Sequence, residues 1–391
     1  MINEKIKKGI QQYSEELTAI RRKLHSEPEL SWEEYETTKF VSSYLTELGI
    51  EHRKTEPTGV IAEIKGGKPG KTVALRADMD ALPVEELNTD LPYTSKVKGK
   101  MHACGHDTHT AMLLIAAKVL NENKDELQGN VRFIFQPAEE TGRGAGKMVE
   151  QGAMEGVDNV FGIHIWSQMP VNKVSCIAGP SFASTDVFTV SFKGRGGHGA
   201  MPHGTIDAAV VASSFVMNVQ SVVSRTIDPQ QPAVVTIGKM DVGTRFNVIA
   251  ENAVIEGTVR CFDASTQDHI EKQLQIYAEN VANIYGATSK VDYQRVTHAV
   301  INEEESAKLV QRVAAESFGE ETVYYEKPTM GGEDFSSYLE KAPGCFALVG
   351  SGNPEKDTEW AHHHGKFNVD EDALATGAEL YAQYAWAYLT Q

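Results

Sequence analysis

The stretch Met101-His102-Ala103-Cys104-Gly105-His106-Asp107-Thr108-His109 places three imidazoles, a thiol and a carboxylate close together in the chain. A thiolate and an imidazole two residues apart can reach one metal ion, and the intervening Gly105 lets the backbone turn tightly enough to aim both. Upstream, Arg76-Ala77-Asp78-Met79-Asp80 ends an apolar run with two carboxylates. Ligands in open α/β sheets gather beyond the carboxyl ends of strands, so these acids stand where a site is expected, although such a pair is also common in solvated turns. Glu139 and Glu140 follow a further apolar run and the turn Gln136-Pro137. Adjacent side chains on irregular backbone diverge, so one can bind a metal while the other faces the water that the metal activates.

Two further sources of imidazole are ambiguous by themselves. His164 closes the apolar run Val160–Ile163, where a satisfied core histidine is the simpler reading. His362-His363-His364 serves equally as a surface cluster or as a source of one ligand. Four separate segments nevertheless deliver acids, imidazoles and a thiol to one end of a sheet, which favours a clustered metal centre. Thiol catalysis, with Cys104 as nucleophile and His102 or His106 as base, leaves Glu139, Glu140 and His164 without a task. A non-catalytic metal-binding protein needs no additional carboxylate aimed at water.

The elements that must carry these residues alternate between strand and helix. Ser31 and Glu34 match a capping box ahead of helically spaced Phe40, Val41, Tyr44, Leu45 and Leu48, with Gly49 placed to stop the helix. Short apolar runs follow at Val60–Ile64, Thr72–Ala77, Val131–Phe135 and Val160–Ile163, with a helix expected over Thr110–Leu120. This order predicts an α/β catalytic domain with a mainly parallel central sheet. From Ala183 to Arg295 the rhythm changes. Strand Asp186–Lys193, helix Ile206–Val223, strands Ala233–Lys239 and Asn252–Phe262, helix Gln267–Tyr285 and strand Ser289–Tyr293 give β-α-β-β-α-β, the ferredoxin-like order. The expectation is a catalytic domain in two parts, residues 1–182 and 296–391, interrupted by a ferredoxin-like α+β satellite over 183–295. Phe346–Gly350 supplies a late buried strand to the second part.

Composition narrows the partners. Lys plus Arg total 37 against 54 for Asp plus Glu, a formal charge of −17 that repels a phosphate backbone, so no nucleic-acid partner is expected. No run approaches the roughly 18 apolar residues of a membrane span, and the N-terminal residues lack a secretion-signal core, so a cytoplasmic protein is expected. Cys104, Cys176, Cys261 and Cys345 are widely spaced, with no disulfide framework; the last three read as buried core thiols.

The segments Arg76-Ala77-Asp78-Met79-Asp80-Ala81-Leu82-Pro83, His102 to Asp107, Gln136-Pro137-Ala138-Glu139-Glu140, Gly194 to His198 and Gly331-Gly332-Glu333-Asp334-Phe335 resemble, in order and spacing, those of the M20 metallopeptidase family in its aminoacylase and hippurate-hydrolase branch. The resemblance implies an amidohydrolase acting on N-acyl amino acids or related small amides, with N-acetyldiaminopimelate deacetylase and dipeptidase or carboxypeptidase as neighbouring activities. It implies that Cys104, His106, Glu140, His164 and His363 hold two divalent ions and that Glu139 is the general base, with Asp80 orienting a ligand from behind. Counting back from Phe367 selects His363, with His362 as the alternative; Asp78 stands where many relatives outside the branch carry a metal-binding histidine. The inserted domain is implied to form a homodimer and to act as a lid. His198 would reach the opposite subunit's site to stabilise an oxyanion, and Asn247 and Arg260 would contact the substrate's carbonyl or carboxylate. A thiolate with imidazoles and carboxylates suits zinc, manganese, cobalt or nickel.

Overall fold

A computed structural model describes residues 2–390, which divide into two compact units. The first takes the chain up to Ser181, Ile301–Lys327 and the chain from Asp334 onward; the second takes Phe182–Val300 and Pro328–Glu333.

The first unit is built on a seven-stranded sheet. Its order is Glu51–Lys54, Val60–Lys65, Gln128–Gln136, Lys68–Asp78, Asn159–Pro170, Gly344–Gly352 and Val174–Ser175. The four central strands pair in parallel, and the pairings outside them are antiparallel. The sheet is therefore mixed, with a parallel centre and antiparallel edges, where a mainly parallel one was expected. Its central strands are buried on both faces, as Val73, Leu75, Phe133 and Phe135 on one side and Ala74 and Ile134 on the other show, which is why they read as apolar runs. Helices His106–Glu122 and Asp372–Leu389 pack on each other and on Lys68–Asp78. Tyr384 stacks on Phe161 with ring centroids 4.2 Å apart. Tyr381 donates from its hydroxyl to the carbonyl of Arg76 at 2.6 Å and accepts from the amide of Ile163 at 3.2 Å, tying the last helix to two site-bearing strands.

Three local expectations change. The helix expected from Thr110 begins at His106, because Gly105 takes φ +92° and turns the chain directly into the first turn. A side chain could not replace that glycine, since a Cβ there would lie 2.4 Å from Ile165 Cγ2. The run Val160–Ile163 extends to a strand Asn159–Pro170, so His164 lies within it rather than at its end. The capping box at Ser31 and Glu34 does not form. The helix starts at Tyr35 without a side-chain cap, Ser31 donates to Asp80, and Glu34 accepts from Trp32, Thr58 and Ala138.

The second unit holds a four-stranded antiparallel sheet in the order Ala233–Val242, Asn252–Cys261, Thr185–Lys193, Thr288–Thr297. Helices Ala208–Thr226 and Ala264–Tyr285 are capped by Asp207 and Asp263, whose carboxylates accept from the amides of Ala209 and Thr266. Phe188, Val190 and Phe192 alternate inward and join Phe215, Val219, Ile270 and Leu274 in this unit's own core. Cys176, Cys261 and Cys345 are buried free thiols. Among the described residues no helix is long and apolar enough to cross a membrane.

Candidate metal centre

Three parallel strands and the loops after them bring the sequence-selected groups of the first unit together. Lys68–Asp78 leads into Asp80, Gln128–Gln136 leads into the short turn Glu139–Thr141, and Asn159–Pro170 carries His164. Cys104 and His106 flank Gly105 at the helix start. One ligand atom from each of Cys104, His106 and Glu140 lies within 4.8 Å of the others, and the same holds for Cys104, His164 and His362. Cys104 is thus common to two donor groups. Its Sγ is 3.5 Å from His164 Nε2 and 3.9 Å from His362 Nδ1.

His106 Nε2 is 4.0 Å from Glu140 Oε1, and both atoms are buried without a hydrogen-bond partner among the described residues. Orphaned buried polar atoms are costly, and a nitrogen, a carboxylate oxygen and a sulfur facing one another suit a late transition ion. His363 Nε2 is 3.5 Å from Glu140 Oε1. Only one of the three consecutive histidines was expected to face the site, yet His362 and His363 both reach it. His363 sits at φ +67°, and at this kink its exposed side chain turns toward Glu140 while His362 joins Cys104 and His164.

Asp80 is the hub behind these groups. Its Oδ1 lies 3.2 Å from His106 Nδ1 and accepts from the amide of Glu139 at 3.1 Å, while Oδ2 accepts from the amide of Glu140 at 3.1 Å and from Ser31 Oγ at 2.7 Å. One carboxylate therefore fixes the His106 ring and the backbone of both glutamates. Burial alone would raise its pKa, but the His106 and Ser31 contacts hold it below the usual carboxylate value.

The electrostatics favour a cation. Burial alone would lower the pKa of His106, but Asp78, Asp80 and Glu140 outweigh it and raise it to about 10. Burial, followed by the neighbouring imidazoles of His109 and His362, pushes the His164 pKa well down, so the ring is neutral, as a ligand must be. Burial and the carboxylates of Glu140 and Glu139 push the Cys104 thiol well up. A thiolate nucleophile and a thiolate ligand both need the opposite shift, which an arriving ion supplies by displacing the proton.

Several residues of these motifs have supporting roles that their spacing does not reveal. His109 presents Nδ1 to Asp78 Oδ1 at 2.6 Å and accepts the amide of Ile165 at Nε2, at 2.8 Å. Both its nitrogens are occupied, so it braces the site rather than binding an ion. Its i,i+3 spacing from His106 placed it on the same helix face, a usable signal once the helix start is known. Asp78 also accepts from Arg76 at 2.6 Å, and Arg76 donates to Gln136 and Asp334, joining the strand ends behind the site. A second buried pair, Arg21 Nε to Asp107 Oδ2 at 2.9 Å, anchors the helix start; His25 Nδ1 lies 2.8 Å from the same oxygen. Arg21→Ala removes the principal counter-charge of a fully buried carboxylate and is expected to cost about 3–5 kcal/mol, seen as a lower unfolding midpoint in urea.

His198, Asn247 and Arg260 belong to the second unit. His198 is exposed in a two-residue strand opposite Val248, and its Nδ1 accepts from the amide of Ala200 at 3.1 Å. Asn247 is exposed, and its carbonyl accepts from the amide of Gly199. Arg260 donates to Thr258 Oγ1 and to the carbonyl of Val259.

A sheet with a parallel centre, with sulfur, imidazole and carboxylate donors gathered at its strand ends and a second carboxylate beside them, has the makings of a metal site, and the family to which the chain belongs makes it that of a metal-dependent hydrolase. The chain belongs to peptidase family M20/M25/M40, whose profile matches residues 74–387. It is similar to thermostable carboxypeptidase 1 of Saccharolobus solfataricus, with 43% identity over 387 residues covering 98% of each chain. It is equally similar to an N-acetylcysteine deacetylase of Bacillus subtilis, 43% identical over 371 residues that cover 94% of this chain and 96% of the relative. Among solved structures, a dinuclear metal binding peptidase of the M20 family from Bacillus subtilis superimposes with a TM-score of 0.86 at 37% identity, covering 97% of this chain and 99% of that one.

Proposed function

We propose that the protein hydrolyses the amide bond of N-acyl amino acids or related small amides, with two divalent ions held by Cys104, His106, Glu140, His164 and His363, His362 being the alternative to His363 because it shares a donor group with Cys104 and His164. The observation that carries this reading is the pair of orphaned buried atoms, His106 Nε2 and Glu140 Oε1, grouped with Cys104 and set beside Glu139. The solved relative described as dinuclear supports the count of two. When bound, the ions would polarise the acyl carbonyl and lower the pKa of a water.

The chain's own residues supply the proton chemistry. Glu139, whose backbone Asp80 holds, takes a proton from the attacking water as its oxygen bonds to the acyl carbon. The same carboxyl group then delivers that proton to the departing nitrogen as the C–N bond breaks, leaving a carboxylic acid and a free amine. Asp80 keeps the His106 ring and the paired glutamates in register throughout.

The inserted segment, residues 183–295, reads as a ferredoxin-like satellite between catalytic parts 1–182 and 296–391, serving as dimer interface and lid. Its strand order supports this topology. Within the homodimer, His198 would stabilise the oxyanion in the opposite subunit's site, and Asn247 and Arg260 would contact the substrate's carbonyl or carboxylate. Zinc, manganese, cobalt and nickel all suit the donors, and a cytoplasmic setting suits the free thiols. A carboxypeptidase or dipeptidase activity is the second reading, favoured by the relative of that name.

The test is release of free amine from a panel of N-acetyl and N-benzoyl amino acids, N-acetyldiaminopimelate and dipeptides, using protein loaded with each metal in turn. Hydrolysis concentrated among N-acyl amino acids is expected. Cleavage of dipeptides alone would move the assignment to the second reading, and no turnover by metal-loaded protein on any member would leave a non-catalytic metal-binding protein.

A further inference from the structure

Glu34 lies outside every segment that carries the metal-binding motifs, yet it touches the turn that presents them. Its carboxylate is fully buried and accepts three hydrogen bonds. Oε1 accepts from the amide of Trp32 at 3.0 Å and from the amide of Ala138 at 2.8 Å, and Oε2 accepts from Thr58 Oγ1 at 2.7 Å. The two amides belong to residues at positive φ, Trp32 at +66° and Ala138 at +53°. A residue with a Cβ resists this left-handed region and stays there only where its surroundings impose it.

Ala138 immediately precedes Glu139. Three consecutive amides, those of Ala138, Glu139 and Glu140, are therefore held by two buried carboxylates: the first by Glu34, the second and third by Asp80. The loop that carries Glu34 also supplies Ser31, which donates to Asp80. Both clamps on the glutamate turn thus depend on residues 31–34. Without the Glu34 contact, Ala138 has a steric incentive to leave φ +53° and a buried amide left without its acceptor. Either response swings Glu139 relative to Glu140.

We infer that Glu34 is a positioning residue for the reaction: by holding Ala138 in the left-handed conformation it aims the Glu139 carboxylate. This rests on the reading of Glu139 as the general base. The role is conformational, so an acceptor oxygen at this place is sufficient and a negative charge is not required. In Glu34→Gln the amide oxygen can take both backbone N–H groups, while the new NH2 donates to Thr58 Oγ1.

The test compares Glu34→Ala, Glu34→Asp and Glu34→Gln, each with and without Ala138→Gly, by steady-state kinetics on the best N-acyl amino acid, with bound metal quantified. Misplacing a catalytic group by about 1 Å costs up to roughly 10²-fold, so Glu34→Ala is expected to lose about that much in kcat, with KM and metal content near wild type. Glu34→Asp, one methylene short of Ala138, is expected to lose about tenfold, and Glu34→Gln to stay within about threefold of wild type. Glycine at 138 carries no Cβ penalty, so Ala138→Gly is expected to restore part of the kcat lost in Glu34→Asp. If Glu34→Ala folds too poorly to assay, the Asp variant and its glycine partner decide the matter. Wild-type kcat in Glu34→Asp, or a loss that glycine does not relieve, overturns the inference. Inactivity of Glu139→Gln alongside wild-type kcat in the Glu34 variants would overturn this inference alone; wild-type turnover by Glu139→Gln would overturn the underlying reading as well.

Discussion

Glu139→Gln is expected to lower kcat by about 10²–10⁴-fold while KM and the bound metal stay near wild-type values. The substitution keeps the shape of the side chain and leaves the backbone amide of residue 139 bonded to Asp80. What it removes is the ability to accept a proton from water and return it to the leaving nitrogen. Glu139 is absent from the groups shared with Cys104, so the donors around the proposed ions are untouched. A loss in kcat without a loss of binding is the signature of a group that acts in the transition state. Parallel measurement of metal content, KM and kcat checks it, and turnover within a few fold of wild type would place the base elsewhere. Glu140→Gln should behave differently, losing metal as well as rate, because the Glu140 carboxylate faces both His106 and His363.

The contrast between those neighbouring glutamates was legible in the sequence, because two acidic side chains after Gln136-Pro137 have to diverge. The device that fixes their divergence was not. Ala138 gives no hint in its own identity that it occupies the left-handed region, and Glu34 lies 104 positions away from it. The Ser31 and Glu34 pair even carried a misleading local signal, since the spacing of a capping box was taken up by two tertiary contacts. The start of the His106 helix escaped for a related reason. Its first turn, His106-Asp107-Thr108-His109, has no apolar periodicity, because each polar side chain except Thr108 is held by a partner remote in sequence: Asp80, Arg21 and Asp78. The central strands, by contrast, announce themselves through continuous burial, and their order leaves the acids at one end of the sheet. Spacing could not divide the labour between His362 and His363, because the division depends on a backbone dihedral.

Metal removal is the second large effect. A chelator is expected to abolish hydrolysis, and restoring a late transition ion to bring it back, whereas an alkylating reagent should leave the metal-loaded protein largely active, because Cys176, Cys261 and Cys345 are buried and an ion would occupy the half-buried Cys104 sulfur. The reason lies in the charge of the cavity. Asp78, Asp80 and Glu140 converge on the His106 ring and, against burial, raise its pKa to about 10, while Glu139 Oε2 lies 4.0 Å from the same ring nitrogen as Glu140 Oε1. In metal-free protein at neutral pH that ring holds a proton where an ion belongs, and Cys104 remains a thiol. Each ion must displace such protons, so affinity is expected to fall as the pH falls, by about tenfold per unit for each proton released. Bound ions should also raise the unfolding midpoint, by an amount equivalent to about 4 kcal/mol at a thousandfold excess over Kd. Cys104 separates this account from one based on independent sites. Its sulfur belongs to both donor groups, whereas His164 belongs to one of them. Cys104→Ser should therefore deplete both ions and His164→Ala chiefly one, as metal analysis of the purified variants would reveal. Equal depletion in the two variants would mean that the sulfur does not join the sites.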